Sequence, residues 1–236
     1  MKPLPVILLL AVLFDIPQLF AAETCQKSYP LQVYSGVEIK VDGKPTEDVW
    51  ELIVPEESFS FPWRKETPPR TEFKAFLSED TLYLYFEAID SDIVLFDDQD
   101  ERVVEKEDRV EVFFTVDPEL NEYYCLEVDP LGRVMDYRAS FYRQFDYAWE
   151  LEGLEAAAYR DESGYSVELA IPIRALKELG LLSLEGDARL RTGLFRAEFR
   201  RGPGGEVEER WMSWCRPDSE TPDFHIPSSF GYLVVE

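Results

Sequence analysis

Short runs of β-branched and aromatic residues, each closed by residues that favour a reversal, constrain this chain more than any other feature. They cover residues 70–77, 82–90, 109–117, 122–129, 133–142, 165–171, 189–200, 208–215 and 230–235. Between them stand Ser78-Glu79-Asp80, Asp117-Pro118, Asp129-Pro130-Leu131-Gly132, Asp161-Glu162-Ser163-Gly164 and Gly202-Pro203-Gly204-Gly205, the chemistry of tight turns. Strands this short, joined by reversals, predict an all-β, antiparallel β-sandwich of about ten strands, immunoglobulin-like or jelly-roll-like. One short helix is expected over residues 173–179, where Ile173, Leu176, Leu179 and Leu182 recur at helical spacing and Gly180 supplies a stop. No composition shift, repeat or low-complexity stretch divides the remainder, so residues 36–236 read as one domain.

Side chains alternate along a strand, which sorts each run into two faces. Val110, Val112 and Phe114 oppose Arg109, Glu111 and Phe113; Tyr124, Leu126 and Val128 oppose Cys125, Glu127 and Asp129; Phe195, Ala197 and Phe199 oppose Leu194, Arg196 and Glu198. If the strands are neighbours, one sheet face is core. The other collects Glu111, Glu127 and Arg196 and becomes the candidate binding surface.

The first residues read as an address. Lys2, an apolar stretch over residues 8–14 and Phe20-Ala21-Ala22 have the three parts of a secretory signal peptide, expected to be removed after residue 22. Asp15 and Pro17 interrupt the apolar run well short of the ~20 residues that span a bilayer. Glu23 and Thr24 stand where small and apolar residues precede a lipidated cysteine, which argues against acylation of Cys25. The expected location is secreted or periplasmic, with residues 23–35 a lead-in to the domain. Disulfides are permitted there. Cys125 and Cys215 both fall in strand-like runs and are able to pair, leaving Cys25 over; three free thiols are the open alternative.

A net charge of -24 disfavours nucleic acid and anionic membrane surfaces as partners. The chain holds one histidine, and neither a Gly-x-Ser-x-Gly elbow nor a glycine-rich phosphate loop occurs in it. Asp108 and Glu111 are spaced to opposite faces of a strand and cannot flank one glycosidic bond as a hydrolase pair does. Asp108 reads instead as a strand-entry residue with backbone partners. Asp90, Asp92, Asp97, Asp98 and Asp100 form an oxygen-rich run of the kind calcium prefers, without EF-hand spacing; a solvated loop is the plainer reading.

An ordered set of phrases carries a resemblance. Val41-Asp42-Gly43-Lys44-Pro45 leads to Glu47 and Trp50; Leu82 to Phe86, Asp108-Arg109-Val110-Glu111-Val112-Phe113 and Tyr165 to Pro172 follow; Phe224-His225-Ile226-Pro227 and Phe230-Gly231 close the set. In this order they resemble the family 9 carbohydrate-binding modules and their wider relatives, from Gly36 to the C-terminus. The resemblance implies a sandwich that binds polysaccharide or oligosaccharide ends without catalysing a reaction, in support of separate glycoside hydrolases. It places Phe224 and His225 in a sugar-binding terminal loop, Glu111 on the matching strand and Trp50 in the core. One of the family's two sandwiching tryptophans is replaced by Glu105, and a sugar-binding arginine by Glu127. Arg196 is expected to supply the positive charge and Trp214 a second aromatic wall, since a pyranose needs flat rings for its C–H faces and fixed polar groups for its hydroxyls. Two other classes stay open. Related sandwiches bind haem through methionine with histidine or lysine, for which Met135, Met212 and His225 are candidates, and a scaffold or adhesion domain needs no small ligand at all.

Overall fold

The computed structural model describes residues 25–98, 100–183 and 188–236. The expected leader over residues 1–22, with Glu23 and Thr24, lies outside them. In chain order the strands are β1 (Ser28–Val33), β2 (Thr71–Leu77), β3 (Thr81–Ile89), β4 (Arg109–Thr115), β5 (Tyr123–Val128), β6 (Val134–Ser140) and β7 (Gln144–Asp146). They continue as β8 (Glu155–Arg160), β9 (Gly164–Pro172), β10 (Arg189–Ala197), β11 (Arg200–Arg201), β12 (Val207–Glu208), β13 (Trp211–Ser213) and β14 (Gly231–Val235). Two short helices, α1 (Val49–Leu52) and α2 (Ile173–Glu178), complete the set with two 3-10 segments, Glu101–Lys106 and Pro227–Ser229.

The strands run β7-β6-β5-β4-β10-β14-β1-β2-β3-β9-β8, with β13 paired to β10 and a separate β11-β12 hairpin. The sheet folds over at β1. Residues Ser28 to Leu31 pair in parallel with β14, whereas Gln32 and Val33 pair in parallel with β2, so one strand joins both leaves of the sandwich. Every other pairing among the described residues is antiparallel. Between the leaves, Val110, Val112, Phe114, Leu126 and Leu194 meet Phe73, Leu84, Phe86, Val167 and Leu169 in the principal apolar core.

All-β character, the sandwich class and the run-by-run placement of most strands agree with expectation. The strand count exceeds ten, and each difference has a local cause. β1 lies in the expected lead-in and is hidden in sequence by Pro30 and by exposed alternate residues. The Ala-rich β8, Glu155–Arg160, has little β propensity and is held by its register with β9. α1 is a single turn, too short for periodicity to register.

Helix α1 shows why two of the ordered phrases belong together. Glu168 Oε2 on β9 accepts hydrogen bonds from the backbone amides of Asp42 and Gly43 at 3.0 and 2.9 Å, and its Oε1 accepts from Trp50 Nε1 at 3.2 Å. One buried carboxylate thus fastens the Asp-Gly turn and the helix to the outer face of the second leaf. Trp50, 1% exposed, packs on Phe76 and Tyr85 there. Gly43 has φ +82°, and a Cβ on it would meet the Ala158 and Tyr159 backbone at 2.5 Å; only glycine fits.

The cysteine expectation is corrected. Cys25 bonds Cys215, with Cα atoms 5.9 Å apart and 190 residues between them, and Cys125 is free and buried. Cys215 faces the core between the leaves while Cys125 points from β5 to the opposite side of the first leaf, so these two cannot meet. The disulfide ties the start of the described chain to the segment after β13, closing a loop large enough that its removal should cost about 2–5 kcal/mol. Under non-reducing conditions the native protein should show no thiol reactive to a disulfide reagent, and denaturant should release one. Cys25→Ser should lower the urea midpoint; an unchanged midpoint would mean the cross-link contributes nothing.

Candidate binding site

Strand β4 is buried along its whole length, because the first leaf is covered on both sides. Alternation sends Arg109, Glu111 and Phe113 to its outer face. Tyr123, Cys125 and Glu127 of β5 and Phe195 of β10 stand beside them, since Glu111 pairs in register with both Glu127 and Phe195. A second apolar cluster of Phe113, Tyr123, Cys125, Tyr137, Phe195, Phe224 and Phe230 forms on that face. The cover is the chain between β13 and β14. Phe224 lies flat on Phe195, with centroids 4.2 Å apart and planes 14° apart, and the His225 ring stacks on Phe113 at 5.2 Å.

Where this cover ends, a cavity of about 110 Å³ remains, lined by Arg109, Glu111, Glu127, Arg143, Trp211, Pro222, Asp223, Phe224 and His225. Its floor is ionic. Arg109 lies between two carboxylates, with Nε 2.5 Å from Glu127 Oε2 and Nη2 3.0 Å from Glu111 Oε1. The guanidinium Nη1 donates to the carbonyls of Val104, Glu105 and Glu107 at 3.1–3.2 Å. Tyr137 donates to Glu127 Oε1 at 2.7 Å.

One cation does not balance two buried anions. Burial, and then the neighbouring Glu127, push the Glu111 carboxyl up to about 8 despite Arg109. Burial and Glu127 thus favour the protonated form of Glu111, and the Arg109 guanidinium opposes them. Glu111 Oε1 lies 3.0 Å from Arg109 Nη2 without an aligned hydrogen bond, so a residue that lines the cavity keeps hydrogen-bonding capacity unused. Burial, then Arg143 and Arg109, lower His225 to about 3, so its ring is neutral. Its Nδ1 lies 3.0 Å from the Tyr123 hydroxyl.

The side wall is held by Asp223. Its Oδ1 accepts from the His225 amide at 3.0 Å and meets Arg143 Nη1 at 3.1 Å, and its Oδ2 accepts from the Tyr142 hydroxyl at 2.7 Å. Trp211, partly exposed, forms the aromatic wall. Phe199 and Phe224 meet it edge to face at 5.1 and 5.8 Å.

Of the expected site residues, the structure brings together Phe224, His225 and Glu111. Arg196 and Trp214 belong elsewhere. Arg196 pairs in register with Val110, on the inner face, and its guanidinium bonds Asp90, Thr71 Oγ1 and the Ile89 carbonyl between the leaves. Trp214, 1% exposed, is part of the principal core. The register explains the error. The two-residue alternation of β10 is the one its sequence predicts, but which of its faces joins Glu111 depends on pairing, and Phe195 takes that place. Arg109, two residues before Glu111 and on the same face, supplies the charge; that spacing was legible. Trp211, Arg143 and Asp223 carried no signal that local sequence could rank.

Asp108 does have backbone partners, accepting from the Val94 and Phe199 amides at 2.5 and 2.7 Å. The calcium run does not converge. Asp90 faces Arg196, Asp92 accepts from the Arg201 amide, Asp98 caps the Asp100 amide and Asp100 that of Arg102; Asp97 is exposed. Among the described residues no three such side chains are placed to share a metal ion. Of the haem candidates, Met212 lies between the leaves, apart from His225 on the outer face, whereas Met135 belongs to the second cluster on that same outer face and lines a cavity with His225.

A two-leaf sandwich presenting a small, polar-floored pocket with an aromatic wall on one sheet face is the form of a carbohydrate-binding module. The chain belongs to the carbohydrate family 9 binding domain-like family, whose model matches residues 41–236, and non-catalytic carbohydrate binding is the class of function that membership carries. Among solved structures, a Bacteroides uniformis protein provisionally described as carbohydrate-binding aligns with 16% identity and a TM-score of 0.71, covering 89% of this chain and 99% of that one. A family 9 module from Caldicellulosiruptor kristjanssonii in complex with cellotriose aligns at 14% identity and TM-score 0.55, over 88% of this chain and 94% of its own. The glucose complex of a family 9 module from the same organism aligns at 16% and 0.53, over 88% and 96%. No curated protein matches the chain.

The buried carboxyls make stability depend on pH. Burial raises Glu111 and Asp108 to about 8 and Glu168 to about 7. The folded protein therefore keeps protons that the unfolded chain releases above its ordinary carboxyl range. The stability this gives is complete below about pH 4 and is lost as pH rises through about 8. His225 works the other way, because its lowered value gives stability present above about 6.5 and lost on acidification. The carboxyls outnumber it. Thermal denaturation should show a higher midpoint at pH 5 than at pH 8, and Glu111→Gln should narrow the gap. A midpoint that rises from pH 5 to 8 would contradict the assignment.

Proposed function

We propose that the pocket on the outer face of the first leaf is a saccharide site, in which a sugar ring lies against Trp211 with its hydroxyls at Glu111, Asp223 and His225. The observation that carries this reading is one cavity lined both by Glu111, whose Oε1 has no aligned hydrogen bond, and by the partly exposed ring of Trp211. A protonated Glu111 donates, Asp223 accepts, and the neutral His225 ring can do either according to its tautomer. The apolar C–H face supplies most of the affinity, because hydroxyl contacts exchange water for protein at a net gain of about 1 kcal/mol each.

The site binds and does not cleave. Both pocket glutamates contact Arg109 from one face of adjacent strands, which supports the non-catalytic reading because a cleaving pair flanks the glycosidic bond from two sides. Export belongs to the same proposal. The Cys25–Cys215 bond supports an oxidising compartment, where such bonds persist, and no helix among the described residues is long and apolar enough to cross a membrane.

Calorimetric titration with glucose, cellotriose, and xylo- and manno-oligosaccharides tests the reading, with assay of released reducing ends as a second arm. Trp211→Ala should weaken binding at least ~tenfold, the loss of one stacking contact. Phe224→Ala should act first on stability, lowering it by about 3–5 kcal/mol, because its ring packs under the wall on Phe195. Undiminished affinity in a folded Trp211→Ala variant, or steady release of reducing ends, would displace the proposal.

A further inference from the structure

The pocket continues beyond its aromatic wall. Trp211 and Pro222 also line a second concavity of about 600 Å³, whose other walls are Trp63, Arg64, Glu209 and Glu220. This surface comes from segments far apart in sequence, before β2, after β12 and within the cover between β13 and β14. Trp63 is partly exposed and fixed in place. Its Nε1 donates to the Ser219 carbonyl at 2.9 Å, and its ring packs on Phe224 at 5.8 Å. An aromatic ring already immobilised loses little entropy when a ligand settles on it.

The polar groups of the concavity are asymmetric. Arg64 is committed, with Nη2 2.5 Å from Glu208 and its Nη1 3.4 Å from Glu66. Glu209 lends only its backbone carbonyl to Arg64. The carboxylates of Glu209 and Glu220 are exposed and make no hydrogen bond or ion pair with a described residue. The surface thus offers a rigid ring beside free acceptors and no uncommitted cation. That suits sugar hydroxyls and repels carboxylated sugars.

We propose that this concavity is a second subsite, and that the ligand is a neutral oligosaccharide running from the pocket across Trp211 onto Trp63. The inference rests on the pocket being a saccharide site and adds to it the direction and the chemistry of the chain that extends from it. Trp63 then acts as a platform for units beyond the first, with Glu209 and Glu220 accepting from their hydroxyls.

The test is calorimetry with cello-, xylo- and manno-oligosaccharide series of one to four units, on wild type, Trp63→Ala and the double variant Glu209→Ala with Glu220→Ala. In the series that binds, affinity should climb on the order of tenfold from one unit to three. Trp63→Ala should remove most of that gain and change single-sugar affinity less than about twofold; the exposed double variant, which leaves the packing intact, should remove about threefold of it. An oligogalacturonide series should show no gain with length. A binding series with no dependence on length, or a gain that survives in both variants, would overturn the subsite and leave the pocket standing. Failure of every series to bind the wild type would overturn both.

Discussion

Everything distinctive about this sandwich depends on Arg109 being buried between Glu111 and Glu127 on the outer face of the first leaf. Charges placed there must be compensated, and the chain meets that demand with two carboxylates, a tyrosine hydroxyl and three backbone carbonyls. Such a network contributes little net stability relative to apolar packing, whereas losing one partner of a buried pair typically costs about 3–5 kcal/mol. Its value lies in position. It holds polar atoms at fixed points in the floor of a pocket that would otherwise close over with aromatic side chains.

Burial of both leaf faces gives the network its setting. Phe113, Phe195 and Tyr123 would be exposed on an ordinary two-layer sandwich, and here the chain between β13 and β14 lies across them with Phe224 and His225. The second leaf repeats the device on its own outer face, where Glu168 fastens the Asp42-Gly43 turn and Trp50 covers Phe76. In each case a buried glutamate on an inner strand meets a fixed partner, Glu168 the donors of a distant segment and Glu111 the Arg109 of its own strand. These are the Glu111 and Glu168 of the phrases that carry the family resemblance.

What sequence alone reveals divides along the same line. Period-two alternation was enough to place Val110, Val112 and Phe114 against the core and Glu111 on the other face, because that information is local. The face on which Arg196 falls was not, since it needs the register of β10 against β4. Cys25 pairing with Cys215 was equally hidden, for it depends on β1 joining both leaves. Trp211, the wall of the pocket, sits in a three-residue strand that sequence merged into a longer run with Trp214. Pairing to the end of β10 fixes which of the two is partly exposed and which is buried. The site's anchors were legible as a pattern, and its walls were products of topology.

A crystal structure with a bound oligosaccharide tests the central claim most directly. The account predicts a pyranose face against Trp211, hydroxyls within hydrogen-bonding distance of Glu111, Asp223 and His225, and Arg109 unmoved between its carboxylates. A sugar bound on the second leaf, or one held away from Trp211 and Glu111, would contradict it.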